Sequence, residues 1–246
     1  FTTPSSNIQP SILVVDDGGE ASSYKSSLDN LGYDYDYESI SPDELPNNDI
    51  NEYEIVIWIV GGFTDTLTLH ERKLLKEYMD NHGNLFINGE DIGYEVGQTD
   101  FYRNYLHSKL LKDNGDGVDI SGIDSDSISA GFNNLSIGGD LPDNIEPVKE
   151  GVSVFKYDTG KIASVKADTS SNKMLYMACE FFEGPEQQSK KNSVMDRIVD
   201  WLNPAGSDKI GPTVSSIDYG TKQVEWNSTI EFTATVDDKI SGDSNI

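Results

Sequence analysis

The sequence predicts an α/β protein, a three-layer sandwich with a mainly parallel central sheet. Three observations lead there. Two apolar runs of strand length, Ile12-Leu13-Val14-Val15 and Ile55-Val56-Ile57-Trp58-Ile59-Val60, show no polar alternation, so both of their faces need cover. Each ends in a glycine-bearing turn, Asp16-Asp17-Gly18-Gly19 and Gly61-Gly62. Helical periodicity follows each turn, which is the βα rhythm of a parallel sheet.

After the first strand, Tyr24, Leu28 and Leu31 fall at i, i+4 and i+7, and Gly32 is placed to end the helix. Residues 33–39 alternate aromatic and acid, the pattern of a half-exposed edge strand, and Pro42 and Pro46 mark the loop beyond. Thr68-Leu69-His70-Glu71 is a capping box: the threonine hydroxyl caps the backbone while the glutamate reaches back. The helix it opens carries Leu74, Leu75, Tyr78 and Met79 on one face and closes at Asn81-His82-Gly83. Leu85-Phe86-Ile87 is the next strand, running into Asn88-Gly89-Glu90-Asp91.

Residues 100–111 read as a second amphipathic helix with Phe101, Tyr102, Tyr105 and Leu106 as its stripe. Residues 113–144 read as loop, with Gly, Asp and Ser between short apolar pieces. Val152-Ser153-Val154-Phe155 and Ile162-Ala163-Ser164-Val165 flank a turn and predict a β-hairpin. Residues 174–182 form a further strand. Residues 189–202 form the closing helix, with Val194, Ile198, Trp201 and Leu202 on one face and Pro204 as the stop. The order and spacing imply a flavodoxin-like domain over 12–203 after a polar lead-in at 1–11. A Pro/Gly/Ser linker spans 204–212. From 213 the pattern turns purely β; a sandwich needs about 100 residues, so 213–246 is expected to be a partial Ig-like segment.

Hydrophobic residues make up 36% and aromatics 10% of the 246 residues, enough for a packed core. The formal charge is −25, from 43 acidic against 18 basic residues. Such a field repels phosphate backbones, so nucleic acid is excluded as a partner class. No apolar run approaches the roughly 20 residues that cross a bilayer, so no membrane insertion is expected of this segment. The single cysteine, Cys179, allows no intrachain disulfide. Phe1 in place of methionine, a Ser/Asn/Asp/Gly-rich composition and the sequons at Asn134 and Asn227 point to an extracellular or cell-surface protein, with those two asparagines as candidate glycan acceptors.

In open α/β sheets, ligands bind beyond the carboxyl ends of the strands. Here that rim gathers Asp16, Asp17, Asp65, Glu90 and Asp91 as the candidate cleft. Clustered carboxylates repel a phosphate, so no flavin or nucleotide cofactor is expected, whereas a hard cation such as calcium or magnesium is admitted. Tight turns with solvated acids are the plain alternative. His70 and His107 form no spaced ligand pair for zinc. The run 113–119 looks like a calcium loop, but Lys112 occupies the first ligand position of the EF-hand register.

The opening Ile-Leu-Val-Val-Asp-Asp resembles a response-regulator receiver domain. The third strand ends in Trp58-Ile59-Val60-Gly61, however, where a receiver carries its phosphoacceptor aspartate, so that function is excluded. A wider resemblance covers nearly the whole domain. It runs through Ile-Leu-Val-Val-Asp-Asp-Gly-Gly (12–19), Tyr-Glu-Ile-Val-Ile-Trp (53–58) with Gly-Gly after it, and Leu-Thr-Leu-His-Glu-Arg (67–72). It continues in Gly-Asn-Leu-Phe-Ile-Asn-Gly-Glu-Asp-Ile (83–92), Tyr-Leu-His (105–107) and Glu180-Phe181-Phe182-Glu183. The chain resembles class I glutamine-amidotransferase-like domains attached to secreted and surface proteins, some subtilisin-type proteases among them.

Active members of that group carry a cysteine on the elbow after the strand matching 85–88 and a histidine downstream. This sequence has Glu90 at the elbow and no histidine after His107. The resemblance therefore implies a non-catalytic accessory, interaction or structural domain, whose partners are the other domains of its own polypeptide or a cell-surface assembly. The competing reading is a hydrolase working through the acidic, cation-assisted cleft. Cys179 at the end of an apolar strand, with His82-Gly83 elsewhere, superficially matches a caspase-like dyad. Acidic neighbours Glu180 and Glu183 would raise the thiol pKa, and a buried structural cysteine is the expectation.

Overall fold

The computed structural model describes residues 10–18, 21–41, 44–61, 67–115, 117–139 and 142–203, and two strands after them. The chain divides into two units, Gln9–Pro204 on one side and Phe1–Ile8 with Ala205–Ile246 on the other.

The larger unit begins with β1 (Ile12–Asp17), buried along its whole length as its unbroken apolarity requires. Helix α1 (Ser22–Leu31) follows and ends at Gly32 with φ 76°, where the N–H groups of Gly32 and Tyr33 donate back to the carbonyls of Asp29 and Leu28. Strand β2 (Asp36–Ser39) is short and lies at the sheet edge as expected, exposed at every position but the half-buried Glu38. Strand β3 (Ile55–Val60) is wholly buried. Helix α2 (Leu69–Asp80) starts on the capping box: Glu71 N–H donates to Thr68 Oγ1 at 3.4 Å, and Thr68 N–H to Glu71 Oε2 at 2.6 Å. Thr68→Ala is expected to lower stability by about 1 kcal/mol, measurable as a shift of the urea midpoint with an unchanged m-value. Strand β4 (Asn84–Asn88) completes the first half.

The next stretch corrects the expected helix over 100–111. It holds two short helices, α3 (Ile92–Val96) and α4 (Asp100–Asn104), and then an extended segment, β5 (Ser108–Lys112). Phe101, Tyr102 and Leu106 are buried as their spacing suggested. The helix nevertheless stops, because His107 turns the chain with φ 45° and Leu110 then pairs opposite Ile145. That partner lies far along the chain, so helical periodicity could not reveal it. The expected loop over 113–144 likewise contains β6 (Asp119–Gly122), β7 (Leu135–Ser136) and the start of β8 (Asn144–Pro147).

The hairpin is present as β9 (Val152–Tyr157) and β10 (Ile162–Asp168), paired antiparallel. Strand β11 (Lys173–Met177) stops short of Phe182, since the Asn88 amide takes the Met177 and Cys179 carbonyls and Phe181 and Phe182 turn into the core. Helix α5 (Gln188–Leu202) closes the unit with Val194, Ile198 and Leu202 buried.

The sheet runs β2-β1-β3-β4-β11-β10-β9-β6-β7. The first five strands are mutually parallel; from β10 outward the pairing is antiparallel. The sheet is thus half parallel rather than mainly so, because β9, β10 and β11 are joined by turns too short for a crossover. Ile12, Val14, Ile57 and Phe86 form one core face with α1 and α5. Leu13, Val15, Trp58 and Ile87 form the other with α2, α3 and α4.

The linker 204–212 and Ile230 lie outside the described residues. In the second unit, β12 (Thr213–Asp218) and β13 (Thr233–Asp237) pair antiparallel.

Candidate functional site

Because β1, β3, β4 and β11 are parallel and adjacent, their carboxyl ends share one rim. Between β1 and β3, where the strand order reverses and ligands enter folds of this kind, the backbone itself fills the gap. Gly61 N–H donates to the Asp17 carbonyl at 2.9 Å, and a Cβ on Gly18 would collide with Cα and N of Gly61. Beside it, the Asn88 side chain joins β4 to β11. Its Oδ1 accepts the Tyr24 O–H at 2.6 Å, and its Nδ2 donates to the carbonyls of Met177 and Cys179 at 3.1 and 2.8 Å.

No family model and no curated protein matches the chain. Solved structures do. A glutamine amidotransferase from Thermotoga maritima superposes with a TM-score of 0.51 at 12% identity, over 82% of this chain and 86% of that one. A putative ThuA-like protein from Parabacteroides merdae gives 0.51 at 10% identity, over 93% and 98%. A carbohydrate deacetylase, Agd3, gives 0.57 at 13% identity over 79% of this chain, which spans 32% of that one. The α/β unit has an amidotransferase-like fold. At these identities the likeness shows the fold alone.

Glu90, in the turn that follows β4, is 8% exposed. Its Oε2 adjoins the place a Gly139 Cβ would occupy, with Glu180 Oε2 3.0 Å from the same point, so both carboxylates come close to Gly139. Cys179 lies beneath them, fully buried, and burial together with Glu183 and Glu90 pushes its thiol pKa far up. A thiol held protonated in this way is no nucleophile at neutral pH.

The acids expected in one cleft separate onto the two faces of the sheet. Asp16 turns toward the α1 side, where Tyr37 O–H donates to its Oδ2 at 2.8 Å beneath the Lys25 amine, 3.8 Å from the Tyr37 ring. Asp17 turns toward α2. Trp58 Nε1–H donates to its Oδ2 at 3.4 Å, and its carboxyl hydrogen-bonds that of Glu71, which is itself fully buried. Burial and the Glu71 charge push Asp17 up to about 7, so the two carboxyls hold a proton between them below neutrality. Asp91 lies before α3, raised by burial and by Asp113 and Glu95. Asp65 and Asn227 fall outside the described residues. Among the described residues, no group of three or more His, Cys, Asp or Glu is arranged to hold a metal ion.

The histidines do not serve the rim. His70 is exposed on the first turn of α2. His82 follows that helix, its Nδ1 2.8 Å from the Ser171 carbonyl at the start of β11, whereas Cys179 lies beyond that strand's far end. Sequence reasoning missed Asp143, wholly buried against α3 near Gly93 and Tyr94. Burial, then Asp113 and Asp91, push its carboxyl up to about 8. No local signal marks it, since its surroundings are assembled from residues 91–94, 102, 113 and 176.

Proposed function

We propose that this chain is a non-catalytic accessory domain of a larger extracellular or cell-surface protein, acting by interaction or as a structural module, with β12 and β13 beginning an Ig-like module. The observation that carries the proposal is the elbow. By the resemblance the cysteine's place on the elbow falls to Glu90, a buried glutamate with Glu180 near it, and the chain's own thiol is buried and held protonated. The fold's occurrence as 32% of a larger chain supports a modular role. Asn134 is exposed at the turn before β7, which suits a glycan acceptor.

The purified chain is expected to release no product from glutamine, p-nitrophenyl esters or p-nitrophenyl glycosides above the buffer rate. Turnover that disappears in Cys179→Ala or Glu90→Gln would overturn the proposal. A second reading, an acid-cleft hydrolase, is favoured by the approach of Glu90 and Glu180 to the same glycine alone, since glycoside cleavage uses two neighbouring carboxyl groups. It requires glycoside turnover with a bell-shaped pH profile, abolished by either Glu90→Gln or Glu180→Gln.

A further inference from the structure

An open cleft of about 540 Å³ lies at the end of the sheet opposite the rim, between the last turn of α2, the end of α4, residues 149 and 150 and the β10–β11 turn. That size suits a small ligand. Two of its wall residues hold left-handed backbone, His107 at φ 45° and Lys149 at φ 54°. Side chains with a Cβ resist this region, and glycine enters it freely. The turn is fixed by Val148 N–H donating to the His107 carbonyl and Gly151 N–H to the Val148 carbonyl, each at 2.9 Å. A glycine at 149 would make the same turn with less strain. Lysine there presents its amine at the cavity wall, where it donates to Asn104 Oδ1 at 2.5 Å. Strained backbone of this kind gathers at ligand sites, which motivates a search for a ligand here.

The other polar groups are also held in place. Tyr105 O–H donates to Asp80 Oδ1 at 2.9 Å, and the nearly buried His107 ring sets its Nδ1 3.2 Å from Glu150 Oε2. We propose that this cavity is a carbohydrate-binding site that takes a mono- or disaccharide. A sugar hydroxyl donates and accepts at once, and the wall offers both functions: ammonium and amide donors beside carboxylate and amide acceptors. Anionic ligands are disfavoured by Asp80, Glu150 and Asp168 and by the net charge of −25. Cationic ligands find little unpaired negative charge, since Asp80 is held by Lys76 at 2.7 Å, Glu150 faces the His107 Nδ1 at 3.2 Å and the Lys149 ammonium stands on the same wall; apolar ligands find little beyond Met79. The site is separate from the rim, so the inference stands whether or not the rim is inert.

The test is calorimetric titration of the full chain with glucose, galactose, mannose, N-acetylglucosamine, cellobiose and lactose, with spermidine and inorganic phosphate as controls. Saturable binding of at least one saccharide is expected, weakened at least tenfold in Lys149→Gly and in Asn104→Ala. The melting midpoint of Lys149→Gly is expected at or above that of the parent, the signature of a strained residue kept for function. The proposal is overturned by no saccharide binding, by binding unchanged in both variants, by preference for spermidine or phosphate, or by Lys149→Gly melting below the parent.

Discussion

Gly18→Ala is expected to remove on the order of 3 kcal/mol of stability, the largest loss from adding a single methyl group at the rim. The added Cβ would press on three backbone atoms of Gly61, the carbonyl carbon of which would be 2.9 Å away and the other two nearer still. Backbone cannot rotate aside as a side chain can. Relief requires the ends of β1 and β3 to part, which stretches the Gly61 N–H bond to the Asp17 carbonyl and loosens the pairing of Asp17 with Val60. Overpacking costs about 1–3 kcal/mol and the weakened hydrogen bond adds about 1. Gly61→Ala provides the comparison. Its Cβ would stand 3.0–3.2 Å from Gly18, a crowding that small shifts relieve, and about 1 kcal/mol is expected. Urea unfolding of the two variants side by side measures both. A Gly18→Ala protein within 0.5 kcal/mol of the parent, a span typical of neutral surface changes, would show that the rim yields and that the switch point is open to a ligand after all.

The first half of the sheet is legible in the sequence and the second half is not. Strands β1, β3 and β4 declare themselves by unbroken apolarity, and α2 by its capping box, because each signal lies within a dozen consecutive residues. Asp16 and Asp17 stand at the end of β1, as the sequence predicts. Their separation onto opposite faces follows from β1 continuing through both of them, so that alternation carries one toward Tyr37 and the other toward Trp58. The strand therefore extends two residues past its apolar run, and the acidic cleft divides accordingly. The second half is another matter. Leu110 is extended only because Ile145 lies opposite it, and Glu180 faces Glu90 only because β11 inserts next to β4. Such pairings join residues far apart in sequence, and no periodicity records them. The apolar stripe at 101–106 identifies the burial of Phe101, Tyr102 and Leu106, leaves Tyr105 half-buried, and gives the element only in part.

The same long-range assembly sets the sign of the second large effect, a stability that falls as pH rises. Between about pH 4 and pH 8 the unfolded chain has already released the Asp143 proton, at an ordinary value of 3.8, while the folded chain keeps it to about 8. The folded state binds more protons throughout that window, so each pH unit lowers stability, by up to about 1.4 kcal/mol for a group fully protonated in one state and ionised in the other. Asp17, raised to about 7, adds a contribution of the same sign that ends one unit earlier. The contribution is fully present below the unfolded value and is lost as pH climbs through the folded one. Ordinary acid denaturation runs the other way, through carboxylates stabilised in their charged form.

Asp143→Asn separates this group from the general self-repulsion of a chain with net charge −25. The amide keeps the volume and an acceptor for the N–H groups of Gly93 and Tyr94, which face the Asp143 carboxyl. It removes the charge that burial, Asp113 and Asp91 oppose. At pH 4.5 the variant should unfold close to the parent. At pH 8.5 it should be more stable by on the order of 2–3 kcal/mol, and the decline between pH 5 and 8 should shrink to the part that Asp17 contributes below about pH 7. Urea midpoints across that range decide the matter: two parallel profiles would mean that Asp143 is ionised at little cost and that the slope belongs to the surface charge.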